Sequence, residues 1–272
     1  MSGRISVDLT GPQQTMLATL YAKALDADAA ESVLGDSFAR DAVARIDYDW
    51  KRTTITARQA PGVAARSKHF DTWTRQFLAV HDRATVLHLG CGLDSRVFRI
   101  DPGAGVEWFD VDHPDVIALR ERVHPQRDHV RTIGTSVTDL AWLDRIPTEA
   151  PTLVLAEGLT MYLTRTDGVA LLRGVVNRFD SGEVQFDAFN PLGIRLQWTN
   201  AVVRRSGSTL HWGISGQEEI LAAVPGLRAL WVGSVFESEE LKQIGGLYRW
   251  LCVTCAAVPG LRGVAQYHRY GF

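Results

Sequence analysis

The chain has 272 residues, 46% of them hydrophobic, which fits one large globular domain or one domain with an insertion. Its 29 basic and 31 acidic residues leave a formal net charge of −2, which disfavours nucleic acid as an electrostatic partner. The sequence has neither an apolar run of about 20 residues nor an apolar leader, so it predicts a cytoplasmic protein with no membrane partner.

The first part of the chain predicts helices. Apolar residues recur at helical spacing over 12–30 and 66–80, and a shorter helix is predicted over 36–46. The polar stretch 53–65 contains Pro61-Gly62 and predicts a loop. We therefore expect residues 1–80 to be N-terminal helices.

Strand and helix patterns alternate in the middle of the chain. Strands are predicted at 85–89, 107–111, 130–133, 152–156 and 183–189, with helical patterns between them, notably at 114–122 and 165–178. This alternation predicts βαβ units, a mostly parallel sheet and a ligand site at the carboxyl ends of the strands. Residues 81–190 would form the cofactor-binding core.

The last third departs from the alternation. It predicts helices at 191–205, 216–224 and 241–257 and strands at 227–236 and 264–272. We expect residues 191–226 to form a substrate cap and residues 227–272 to complete the sheet.

The turn after the first core strand carries Gly90 and Gly92 in a Gly-x-Gly-x-Asp pattern. Such a turn brings backbone N–H groups close to a charged or polar cofactor. A dinucleotide fingerprint needs a third glycine where this chain has Ser95, so the pattern suits a cofactor without a pyrophosphate, such as S-adenosylmethionine. A plain turn is the alternative interpretation.

Two acids end the next predicted strand. Asp110 and Asp112 point to the same side because side chains alternate along a strand. An acid at this place can accept hydrogen bonds from a ribose diol, so Asp112 is a candidate for that role. Alternatively, Asp112 caps the helix that begins at Pro114.

Two further loops carry candidate site residues. In a methyltransferase-like sheet, Asp139 would accept from the exocyclic amine of adenine and Leu140 would cover its ring, although Asp139 could instead cap a turn. Glu157 follows a strand and precedes a glycine, a position that faces the cleft. It could hold the ammonium of the cofactor or be an ordinary surface residue.

The two late cysteines form a Cys-x-x-Cys pattern. Cys252 and Cys255 could be a redox motif or half of a metal site, or two small apolar residues one helical turn apart. No second Cys/His pair at ligand spacing accompanies them, so we expect no metal.

These motifs resemble, in order, those of the leucine carboxyl methyltransferase family, and most closely its bacterial branch of tetracenomycin-type polyketide O-methyltransferases. The similar segments lie within residues 12–190 and are IDYDW (46–50), ARSKHFD (65–71), VLHLGCGLDSR (86–96), FDVDHP (109–114), TDL (138–140) and AEGLTMYL (156–163). The resemblance implies an α/β fold with a doubly wound, mostly parallel seven-stranded sheet. This is the Rossmann-like fold of class I S-adenosylmethionine-dependent methyltransferases, here with N-terminal and late helical cap elements.

The resemblance also implies the roles of individual residues toward S-adenosylmethionine. Arg66 would hold the carboxylate of the cofactor, Glu157 would bind its methionine end, and Asp112 would bind its ribose. The remaining members of this cofactor-binding set are Gly90, Gly92, Asp139, Leu140 and, at a looser spacing in the first helix, Lys23.

The family methylates carboxylates or polyketide hydroxyls, so we expect a small, aromatic or polyketide-like acid as the acceptor. An ionised carboxylate needs little base catalysis, whereas a phenol needs a general base. The candidate bases are His69, His113, His211 and Asp187, and the sequence does not choose among them. The candidate substrate residues are Tyr162, Trp198, Trp212 and His211, although aromatic residues at these spacings are more often part of the core.

Two rival functions stay open at this point. The Gly-x-Gly turn and the acid after the second strand also permit a nicotinamide-dependent oxidoreductase, although the missing third glycine argues against it. The same residues would also be present in a non-catalytic protein that only binds the cofactor. The sequence does not indicate an oligomeric state.

Overall fold

The computed structural model describes residues 4–7 and 12–272. Its N-terminal part is mainly helical. The elements are β1 (Ile5–Ser6), α1 (Pro12–Ala27), α2 (Ser37–Arg45), β2 (Ile46–Asp47) and α3 (Ala60–Leu78). The two short strands pair in parallel, and α1 packs against α2 and α3.

The predicted loop over 53–65 is wrong from residue 60 onward. Helix α3 starts at Ala60 and contains Pro61 and Gly62 in its first turn. A proline is tolerated there because the first N–H groups of a helix have no partner within the helix. Pro61-Gly62 therefore begins this helix instead of interrupting the chain.

The middle of the chain alternates as predicted. Its elements are β3 (Ala84–Leu89), α4 (Arg96–Ile100), β4 (Val106–Asp112), α5 (Pro114–Val123), β5 (Val130–Gly134), β6 (Thr152–Ala156), α6 (Arg165–Arg178) and β7 (Gly182–Phe189). The C-terminal third adds α7 (Pro191–Arg195), α8 (Ala201–Ser206), α9 (Gln217–Ala223), β8 (Arg228–Ser234), α10 (Glu239–Lys242), α11 (Gly246–Ala257), α12 (Pro259–Arg262) and β9 (Ala265–Gly271).

The main sheet has seven strands in the order β5-β4-β3-β6-β7-β9-β8. Strands β3 to β7 pair in parallel with one another, and β9 runs antiparallel to both β7 and β8. This confirms the doubly wound, mostly parallel fold class. The strand order reverses between β3 and β6, where a crevice opens at the carboxyl ends of the strands.

The sheet separates two apolar layers. One layer buries Leu87, Phe109 and Val154 with residues of α6 and α9, and the other buries Val86, Trp108 and Leu153 with Phe77 of α3. Among the described residues, no helix combines the length and the apolar composition needed to cross a bilayer.

Two predicted helices are each divided in the structure. Residues 191–205 form α7, a short 3-10 turn and α8, because Asn200 accepts hydrogen bonds from the N–H groups of Val202 and Val203 and so starts a new helix. Residues 241–257 are divided between α10 and α11, which begins at Gly246 with a φ of 70°. Each of the four resulting helices is therefore shorter than the helix that the pattern predicted.

Candidate functional site

A cavity of about 300 Å³ opens at the carboxyl ends of β3, β4 and β6. We call it the first cavity. Its walls are α1, the Arg66 side chain of α3 and the loops after β3, β4, β5 and β6. The volume is at the lower end of the range of small-molecule sites, about 300–1,000 Å³.

The floor of the first cavity is the glycine turn after β3. Gly90 and Gly92 have φ angles of 60° and 51°, which L side chains rarely adopt. A Cβ atom on Gly92 would lie 2.8 Å from the Met16 side chain of α1. The turn therefore needs glycine both for its backbone conformation and for the close approach of α1.

Asp112 ends β4 beside this turn. Its carboxylate accepts hydrogen bonds from the N–H groups of Gly92 at 2.8 Å and His113 at 2.7 Å. Burial raises the pKa of Asp112, which these two N–H groups partly offset. Asp112 lines the first cavity and has lone pairs left for a diol, as the ribose role requires.

Asp110, two residues earlier, has a structural role. It is fully buried and pairs with Arg120 at 2.7 Å and His88 at 3.0 Å. Burial alone would raise the pKa of Asp110, but the Arg120 charge and the His88 contact lower it to about 2. Of these two aspartates, only Asp112 lines the first cavity.

Glu157 and Arg66 meet across the first cavity. The Nε of Arg66 lies 2.9 Å from Oε1 of Glu157, and the buried Arg96 and Ser67 bind the same carboxylate. Burial would raise the pKa of Glu157, but the charges of Lys23, Arg66 and Arg96 lower it below its usual range. Glu157 is therefore a fixed anion at neutral pH.

Lys23 of α1 forms the second charged contact of the first cavity. Its Nζ lies 3.1 Å from the Oδ2 of Asp94, and both side chains are largely buried. Asp94 also pairs with Arg99 and Arg96, and these cations together outweigh burial and hold its pKa well below the usual value. The first cavity thus contains three carboxylates and two cations, from Asp94, Asp112 and Glu157 and from Lys23 and Arg66.

The structure does not bring the predicted adenine residues into the first cavity. Ser136 and Val137 line it, but Asp139 and Leu140 do not. Asp139 caps the following 3-10 turn by accepting from the N–H of Ala141, and Leu140 packs against the core beside α6. The geometry at Asp139 matches the alternative interpretation, a cap.

A second cavity, of about 310 Å³, adjoins the first. It lies between α1, the start of α3, the loop after β6 and α8. Arg66, Gly158 and Tyr162 line both cavities. A ligand in one cavity would therefore be next to a ligand in the other.

Of the predicted substrate residues, only Tyr162 lines a cavity at this edge. Trp198 is 65% exposed, and His211 is also exposed. Trp212 is buried in the core, where its ring fills the space above Gly168. Neither tryptophan therefore lines the two cavities, and Trp212 matches the alternative of a core residue.

The candidate bases do not line the second cavity. His69 is buried, with Nδ1 2.8 Å from Oε2 of Glu240, and His113 directly precedes α5 at the edge of the first cavity without a side-chain hydrogen bond to the helix. Asp187 lies behind Arg66, with Oδ2 3.4 Å from Nη1 of that arginine. Of the described residues lining the second cavity, none is an aspartate, a glutamate or a histidine.

Sequence reasoning missed two kinds of residue. The buried Arg96 and Arg99 join Asp71, Asp94 and Glu157 in one ionic network beneath the first cavity, and no local pattern marks such long-range contacts. Gln59 and Asn200 line the second cavity. For Asn200, the available signal was an asparagine inside the helix predicted over 191–205, because asparagine is a preferred residue at the start of a helix.

The late cysteines lie on α11 as free thiols, with Cys252 packed against Leu241 and Ile244. Burial raises the pKa of Cys252, which disfavours a reactive thiolate. In the part of the chain that the structure describes, no group of three or more His, Cys, Asp or Glu residues is arranged to hold a metal ion. The metal-free expectation stays a prediction.

Comparison with known proteins gives matches that include the elements around both cavities and, for some relatives, nearly the whole chain. A family model described as leucine carboxyl methyltransferase matches residues 12–176. The chain is 43% identical over 267 residues to the tetracenomycin polyketide synthesis O-methyltransferase TcmP of Streptomyces glaucescens, covering 98% of this chain and 99% of the relative. It is 37% identical over 266 residues to the S-adenosyl-L-methionine-dependent methyltransferase dpfgK of Gibberella zeae, covering 90% and 88%.

Solved structures share the fold at low sequence identity. A candidate methyltransferase from Thermobifida fusca matches with a TM-score of 0.61 and 12% identity over 95% of this chain and 97% of the other. The plantazolicin methyltransferase BamL, solved with S-adenosylhomocysteine (SAH), matches with a TM-score of 0.51 and 10% identity over 95% and 98%. At these identities the likeness extends to the fold alone.

Proposed function

The chain belongs to the leucine carboxyl methyltransferase family and is an S-adenosylmethionine-dependent O-methyltransferase, and we propose that its acceptor is the carboxylate of a small aromatic or polyketide-like acid. The observation that carries the proposal is the composition of the second cavity. It is mainly apolar, it adjoins the first cavity at Arg66 and Tyr162, and none of its described lining residues is an aspartate, a glutamate or a histidine.

The residues of the first cavity fit S-adenosylmethionine. Arg66 and Lys23 are cations for its carboxylate, Glu157 and Asp94 are anions for its ammonium, and Asp112 is an acceptor for its ribose hydroxyls. Gly90 and Gly92 line the cavity without side chains, which would allow the ligand to approach the backbone closely. When bound, the cofactor supplies a methyl group on a positively charged sulfur.

The second cavity then determines what accepts the methyl group. A carboxylate is ionised at neutral pH and needs no proton removed, whereas a phenol has a pKa of about 10 and needs a base nearby. Since Asp187 and the three candidate histidines do not line the second cavity, the carboxylate is the acceptor that this cavity favours. The chain's contribution is to align the acceptor oxygen and to exclude water.

Two amides at the mouth of the second cavity support a polyketide-like acceptor. The oxygen of Gln59 accepts from Thr56, and the oxygen of Asn200 accepts from Val202 and Val203. Their N–H2 groups are therefore the parts that can serve a ligand. Such donors suit keto or hydroxyl oxygens on an otherwise apolar molecule, away from the reacting carboxylate.

The proposal includes the domain organisation. We infer a single methyltransferase domain over 1–272, in which 81–190 is the cofactor core and residues 191–226 form a cap over the acceptor. In support, α8 packs against α1 beside the second cavity.

The test is methyl transfer from labelled S-adenosylmethionine into matched pairs of aromatic acids and phenols. We expect label in the acids, in a product that mild alkali hydrolyses because it is a methyl ester. Label in an alkali-stable methyl ether of the phenols would contradict the carboxylate as the acceptor group. No transfer to either class would also contradict a small aromatic acid as the acceptor molecule.

A further inference from the structure

Tyr267 has a buried hydroxyl without a hydrogen-bond partner among the described residues. It lies on β9 directly opposite Asp187 of β7, and side chains of directly opposite residues share one face of the sheet. Its ring stacks on His69 with centroids 4.1 Å apart and meets Phe70 edge-on. The ring is therefore held in place, and leaving its hydroxyl unsatisfied is costly.

Asp187 forms one firm and one loose contact. Its Oδ1 accepts from the N–H of Gly158 at 2.6 Å, which fixes the loop between the two cavities. Its Oδ2 is 3.4 Å from Nη1 of Arg66, long for a charge-assisted hydrogen bond. Arg66 is bound more closely by Glu157, at 2.9 Å, so the contact with Asp187 is the one that can open.

We propose that Tyr267 is a positioning residue whose hydroxyl donates to Asp187 when Arg66 turns toward the carboxylate of a bound ligand. This inference rests on the proposed function, because it takes Arg66 as the partner of that carboxylate. In the exchange, Nη1 of Arg66 leaves Asp187 and the Tyr267 O–H replaces it. Asp187 then stays ionised and keeps its hydrogen bond to Gly158.

The electrostatics around this pair agree with the exchange. Burial and then the negative charge of Asp187 raise the pKa of Tyr267 well above its usual value, so the hydroxyl keeps its proton. Burial also raises the pKa of Asp187, which Arg66 opposes. The other titratable groups that face the pair from packed elements are Glu157 after β6, His69 of α3 and Glu240 of α10.

The proposal is tested by calorimetric binding of SAH near pH 6 to the wild type, Tyr267→Phe and Tyr270→Phe. Each titration is run in two buffers of different ionisation enthalpy, which gives the number of protons taken up on binding. Tyr267→Phe should bind about tenfold or more weakly and take up more protons than the wild type, because Asp187 loses a donor when Arg66 turns away.

Tyr270→Phe is the matched control. Tyr270 lies on the same strand, is equally buried, and its hydroxyl bonds to Nδ1 of His268 outside both cavities. We expect this variant to bind like the wild type and to unfold at a lower denaturant concentration than Tyr267→Phe. Only Tyr270→Phe loses a hydrogen bond present in the free protein.

Equal affinity and equal proton uptake for wild type and Tyr267→Phe would overturn this inference alone. No binding by the wild type would contradict the proposed cofactor site and this inference with it. If Tyr267→Phe does not fold, Asp187→Asn replaces it. That variant removes the carboxylate that Tyr267 is proposed to serve, so it should weaken SAH binding without changing proton uptake relative to the wild type, and wild-type affinity would again overturn the inference.

Discussion

Replacing Arg66 by alanine removes a cation that lines both cavities. In the wild type its guanidinium contacts Glu157 and Asp187, and the whole side chain is 26% exposed. The proposed function assigns it the carboxylate of S-adenosylmethionine, which a planar guanidinium can bind through two N–H groups. Arg66→Ala should therefore weaken the affinity for SAH.

The expected size follows from the partial exposure of the side chain. A hydrogen bond between charged groups contributes about 1.5–3 kcal/mol, so a partly solvated pair of them gives about 2–3 kcal/mol, or a Kd raised roughly 30- to 150-fold. Stability should change little, by about 1 kcal/mol, since Glu157 keeps Arg96 and Ser67 as partners.

Isothermal titration calorimetry with SAH measures this effect. Arg66→Lys keeps the positive charge but lacks the paired N–H groups of the guanidinium, so it should give an intermediate Kd. Arg131→Ala is the control, because Arg131 is an exposed arginine paired with Glu107 away from both cavities. A Kd for Arg66→Ala within twofold of the wild type and of Arg131→Ala would refute the assignment.

Three further predictions follow from other parts of the molecule. Asp112→Ala should weaken binding of SAH but hardly affect fragments that lack the ribose, and calorimetry showing equal losses for both would indicate a structural role instead. The double variant Cys252→Ser, Cys255→Ser should keep its activity, and elemental analysis of the wild type should find no stoichiometric metal; about one zinc per chain would overturn this. Burial lowers the pKa of His268 to about 3 in the folded protein, whereas a histidine in the unfolded chain has a pKa of about 6.5. As the pH falls below about 6.5, His268 therefore binds a proton in the unfolded chain but not in the folded protein. The free energy of unfolding should therefore decrease by about 2 kcal/mol from pH 7 to 5 on account of this residue, measured by urea denaturation, and His268→Phe should remove that share.

The regular middle of the fold could be predicted from the sequence because its patterns are local. Strands such as β3 and β6 are short apolar runs buried on both faces, and the turn at Gly90 and Gly92 needs a backbone conformation that glycine adopts. The starts of the helices near Pro61 and Asn200 were harder to predict from the sequence, because a proline or an asparagine can begin a helix as well as interrupt one.

The candidate site was predictable where a residue follows a strand directly. Glu157 and Asp112 lie at the first cavity because the carboxyl ends of parallel strands meet at one edge. Trp198 and Tyr267 could not be placed in this way. The first depends on how a divided helix packs, and the second enters from β9, an antiparallel strand whose position in the sheet no local pattern gives.

The most direct test of the proposed acceptor is the pH dependence of kcat for an aromatic acid, with methyl transfer shown to be rate-limiting. A carboxylate acceptor in a cavity whose described lining has no aspartate, glutamate or histidine predicts a kcat that is constant within about twofold from pH 6 to 9. A kcat that rises about tenfold per pH unit through part of this range would show that a proton must be removed and would contradict the account.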